Sequence, residues 1–99
     1  MLTTQQVRDA IVEVIAERRV KAQASQYDWK VCVGAVAAAE RTFLAVPVTG
    51  SAGEYFRAVL EALTTLGDGY NDPDGEYTSG ASEIGSIVYS LGRLKIDQG

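Results

Sequence analysis

Thr3 stands three residues before Gln6, and Leu2 stands five before Val7. The first spacing is that of a capping box, in which side chains at the two positions satisfy each other's backbone N–H groups; the second is that of a hydrophobic staple. Val7, Ala10, Ile11, Val14 and Ile15 then recur at the 3.6-residue period of one buried helical face, with Arg8, Asp9, Glu13, Glu17 and Arg18 largely on the other. The spacing predicts a helix over about residues 4–22.

Arg18, Arg19 and Lys21 close that helix, where cations complement the partial negative charge of the terminal carbonyls. They are the only basic cluster in a chain of 9 basic and 13 acidic residues with a net charge of -4. Such a surface repels phosphate backbones, so nucleic acid is not an expected partner. At 99 residues the chain has the length of one domain, 1–99. Cys32 is the single cysteine, which excludes an internal disulfide. No apolar run approaches the roughly 18 residues of a membrane span, and no signal-peptide pattern opens the chain. No membrane partner is expected, and the expected location is cytoplasmic.

Beyond a polar connection over residues 23–28, Trp29, Val31, Val33 and Ala35 alternate with Lys30, Cys32 and Gly34, the period of a half-buried strand. Residues 42–49 form a second extended run, with Pro47 at a strand end or exposed edge because it cannot donate to a ladder. A hairpin joins the two through Ala37-Ala38-Ala39-Glu40-Arg41, although alanine propensity tolerates a helical turn there. Ser51 and Glu54 form a second capping box, Phe56, Val59, Leu60 and Leu63 an apolar stripe, and Gly67 is placed to end that helix in a left-handed conformation. A long Gly-, Asp-, Ser- and Pro-rich loop over 67–82 follows, and loops of this length are often functional. In the last stretch Ile84, Ile87, Val88 and Leu91 fit a helical face, but Gly85 and Gly92 each oppose a helix by about 1 kcal/mol. The run Ile87-Val88-Tyr89 favours a strand, and a third strand completes a sheet. The expected fold is a single α+β domain of order α-β-β-α-β, a small antiparallel sheet packed on two helices, with a final helix as the alternative.

The chain contains no histidine, which removes the commonest general base and the usual transition-metal ligand. Cys32 lacks a histidine to activate it and reads as a small packing residue. Gly50-Ser51-Ala52-Gly53 joins an expected strand to a helix, yet it has neither the dinucleotide fingerprint nor a P-loop lysine, and reads as a tight turn plus cap. In the acidic loop, aligning Gly75 with the EF-hand glycine puts Tyr70 at the first ligand position and Ala81 where the bidentate glutamate belongs. No metal, cofactor or catalytic residue is assigned, and the protein is expected not to be an enzyme. Tyr27, Trp29, Tyr70 and Tyr77 lie in or beside loops, where aromatics with polar tips suit contact surfaces. The candidate partner-binding loop comprises Tyr70, Asp72, Asp74, Glu76 and Tyr77.

The run from Glu83 to Ile96 (an Ile-Gly step, then Tyr and Gly, then alternation) resembles the closing strand of tail-terminator and tail-completion proteins of long-tailed phages. The Arg41–Val48 run before an amphipathic helix is similar in order. The resemblance covers about residues 41–96 and implies a non-enzymatic subunit that assembles as a homo-oligomeric ring, which requires a heterologous interface closing on itself. It carries over no individual residue, and it implies a location in the cytoplasm of a host cell or in a virion. The alternative is a small inhibitor or regulatory module that binds a protein through the acidic loop.

Overall fold

The computed structural model describes residues 2–25, 29–70 and 79–94. They form four helices: α1 (Thr4–Gln23), α2 (Trp29–Ala45), α3 (Ala52–Asp68) and α4 (Ser79–Gly92). No strand occurs among the described residues, so the expected α+β fold with its antiparallel sheet is overturned in favour of an all-helical domain.

Helix α1 begins as its sequence requires. Thr3 is the N-cap, its hydroxyl accepts from the Gln6 N–H, and the Gln6 side chain accepts from the Thr3 N–H. Val7, Ile11 and Ile15 are buried along one face. Helix α3 also starts at its expected cap: the Ser51 hydroxyl accepts from the Glu54 N–H at 3.1 Å. It does not stop at Gly67, however. The helix runs to Asp68 and is capped by Gly69 at φ -68, which is right-handed. Gly67 serves another purpose there. A Cβ at that position would lie 3.2 Å from Cγ2 of Ile84, so its absence lets α3 and α4 approach closely.

The expected hairpin of residues 29–49 is instead one helix followed by a turn. Alternation would bury Trp29, Val31, Val33 and Ala35 together, yet Trp29 and Val31 are exposed. The buried set is Ala35, Val36, Ala39 and Phe43, which has helical spacing. The alanine run that lacked any turn residue is its middle, where alanine has the best helix propensity. Pro47 lies two residues beyond the end of α2, where it costs no helical hydrogen bond. Gly50 then turns the chain with φ 76, a left-handed conformation that glycine adopts without strain.

Helix α4 replaces the expected closing strand. A strand would place Ile87 and Tyr89 on one face, but Ile87 is fully buried and Tyr89 is 69% exposed. Burying Ile84, Ile87 and Leu91 stabilises by about 1.5–3 kcal/mol each. Gly85 and Gly92 oppose the helix by only about 1 kcal/mol each. The burial term wins.

Each helix touches the other three. Side chains from all four meet in one core that includes Ile11, Phe43, Tyr55, Val59, Leu63 and Ile87. Helices α1 and α2 pass in opposite directions: the Thr4 hydroxyl donates to the Gly50 carbonyl at 2.9 Å, and Arg8 stands 5.9 Å from the centroid of the Phe43 ring. No helix among the described residues is long and apolar enough to cross a membrane.

Candidate functional site

Of the loop residues expected to bind a partner, Tyr70 alone belongs to the described part of the chain. It follows α3 directly, half-buried, with its N–H donated to the Gly67 carbonyl at 3.0 Å. Asp72, Asp74, Glu76 and Tyr77 lie outside the described residues. Trp29 opens α2 and is exposed, whereas Tyr27 also lies outside them.

The Gly50–Gly53 turn is filled by its own helix. The Ser51 hydroxyl donates to the Glu54 carboxylate at 3.2 Å. Glu54 Oε2 comes within 3.0 Å of where a Gly50 Cβ would stand. A carboxylate at this helix N-terminus occupies the place that suits an anion.

The basic cluster at the end of α1 is spread over three acids. Arg18 donates from Nε and Nη2 to the two carboxylate oxygens of Glu83 on α4, at 2.9 and 3.1 Å. Arg19 pairs with Glu40 of α2, and Lys21 pairs with Glu17 one helical turn away at 3.2 Å. These cations answer the protein's own carboxylates, and the expected role of completing the helix terminus explains only part of their placement. Glu83 is 7% exposed, and the two-pronged contact with Arg18 compensates the burial of its charge.

Above that ion pair, α1 and α4 leave an open recess of about 470 Å³ lined by Arg18, Ser82, Gly85, Ser86 and Tyr89. Its hydroxyls are partly spoken for, since Ser86 Oγ donates to the Ser82 carbonyl at 3.1 Å. Between α1 and α2 lies a second groove of about 340 Å³, lined by Arg8, Val12, Ile15, Glu40, Phe43 and Leu44. It differs in character. Its floor is the buried Ile15 and Phe43, while Val12 and Leu44 rise beside it at 42% and 53% exposure. Apolar side chains left in water next to a recess with an apolar floor favour docking of another apolar surface.

Neither Val12 nor Leu44 was singled out from the sequence. The signal for Val12 was present, because it is apolar yet falls outside the Val7, Ala10, Ile11, Val14, Ile15 stripe. Leu44 was hidden by the reading of residues 42–49 as an extended run, since its place on a helix face shows only once α2 is seen to continue to Ala45. Cys32 is half-buried and packs against the core from α2. Among the described residues no three His, Cys, Asp or Glu side chains converge as metal ligands would.

Fold and groove together define, among the described residues, a small domain of four helices with an exposed apolar seam between the first two. No protein-family model, curated protein or solved structure matches the chain. The runs that carried the resemblance to phage tail proteins, expected as strands, are helical over residues 41–45 and 83–92.

Proposed function

We propose that this chain is a protein-binding domain that acts by contact, without turnover, and that the α1–α2 groove is where it binds a protein surface, including that of its own copies. The observation that carries this reading is the pairing of exposed Val12 and Leu44 over the floor of Ile15 and Phe43. The groove has a buried apolar floor and exposed aliphatic walls, a form that suits a helix or side chains inserted from a partner. The absence of histidine and the half-burial of Cys32 leave the usual acid–base and nucleophilic routes without their customary groups. Pairing of Arg18, Arg19 and Lys21 with acids argues for a protein partner over a nucleic acid.

The test is site-specific photo-crosslinking in the organism that encodes the chain. A benzophenone amino acid at Leu44 is expected to give discrete protein adducts, which Val12→Glu removes. The same probe at Glu61, on the exposed polar face of α3, gives none. Equal labelling at both positions, or none at Leu44, overturns the assignment.

A further inference from the structure

The α1–α2 seam carries its own complement. Asp9 and Glu13, both exposed, flank Val12 on α1 at three residues before and one after. Arg41, also exposed, lies three residues before Leu44 on α2. Glu13 and Arg41 make no ion pair with another described residue, whereas Arg19 and Glu40, between the same two helices, pair with each other. The seam is therefore an apolar centre whose outer banks carry Asp9 and Glu13 on α1 and Arg41 on α2, while Arg8 of α1, over the Phe43 ring, and Glu40 of α2, held by Arg19, lie in the groove itself.

We infer that a second copy of this chain covers the seam, the two faces meeting about a two-fold axis that runs along the groove. Such an axis lays α1 of each copy over α2 of the other, because rotation about the groove exchanges its left and right banks. The Val12 and Leu44 side chains of one copy then fill the recess of the other, and the acidic bank meets Arg41 across the interface. An isologous interface needs one patch to be complementary to itself, and the opposed charges on the two helices meet that condition. The rim charges set register and orientation more than affinity, which comes from the apolar centre. The inference rests on the protein-binding reading of the same groove and adds the identity of the occupant.

Sedimentation equilibrium of the full chain over a range of concentrations tests it. A monomer–dimer equilibrium is expected. Leu44→Asp is expected to leave only monomer while the far-ultraviolet circular dichroism stays helical, since the residue lies outside the core. Arg41→Glu should weaken the dimer by about tenfold or more. Combining Arg41→Glu with Glu13→Arg should restore it by reversing both partners, whereas Glu61→Arg on α3 should change nothing. A chain monomeric up to about 1 mM, or a dimer indifferent to Leu44→Asp, overturns the inference. If the chain is monomeric yet the Leu44 probe still labels another protein, the second copy is wrong and the binding reading stands. If it is monomeric and unlabelled, both fail.

Discussion

The bond between Arg18 and Glu83 joins the end of α1 to the start of α4, and its energetics turn on burial. With side-chain exposures of 20% and 8%, removing one partner strands a charge out of water, which costs about 3 kcal/mol or more. Replacing both by apolar residues of similar size removes the charge as well as the bond. Urea unfolding should therefore show Arg18→Met losing about 3 kcal/mol, and the Arg18→Met/Glu83→Met double variant losing less than the sum of its singles. Strict additivity would show that the pair is not coupled. Tyr55 gives a second prediction at this scale. Burial pushes its phenol above the ordinary value, and the Arg8 guanidinium pulls it partly back. The neutral phenol is thus favoured in the folded chain. The associated stability is fully present below the unfolded value of about 10 and is lost as pH rises through the higher folded value. Tyr55→Phe should flatten the loss of stability above about pH 10, measured as denaturation midpoints against pH. An unchanged slope would contradict this.

At the scale of elements, the glycines separate into kinds. Gly34 and Gly85 sit in helices with nothing within 4 Å of a would-be Cβ, so alanine there gains helix propensity at no steric cost. Gly85→Ala should raise stability by about 0.5–1 kcal/mol. Gly67→Ala meets Ile84 at 3.2 Å and should forfeit that gain, leaving its melting temperature at or below that of the parent. If the two variants behave alike, the close approach of α3 and α4 is not constraining. The legibility of the elements follows a similar division. Helices α1 and α3 announce themselves because their caps, Thr3 with Gln6 and Ser51 with Glu54, lie within one turn of an apolar stripe. Helix α2 opens with Val31, Val33 and Gly34, and α4 carries Ile84, Gly85, Ile87, Val88 and Gly92, residues that lower helix propensity, and the short runs 29–35 and 87–89 satisfy a period of two as well. What distinguishes the readings is the longer set Ala35, Val36, Ala39, Phe43 and the set Ile84, Ile87, Leu91, each spanning two turns or more. A window confined to one strand length conceals both.

For the whole molecule, the local chemistry at the caps and the long apolar stripe of α1 determined two helices and a single core without reference to anything distant. The absence of histidine and the single cysteine narrowed the chemistry in the same way. Tertiary structure alone decided that residues 29–45 and 79–92 are helices, because β propensity expresses packing context more than backbone preference and is overruled when helical faces have partners to bury against. It also decided which apolar residues stay outside. Val12 and Leu44 are ordinary aliphatic residues in the sequence, and they form a seam only because α1 and α2 pack side by side with Ile15 and Phe43 beneath them. The three cations at the end of α1 were legible as a cluster. Their assignment to Glu83, Glu40 and Glu17 depends for the first two on carboxylates far away in sequence, which only the folded chain brings within reach.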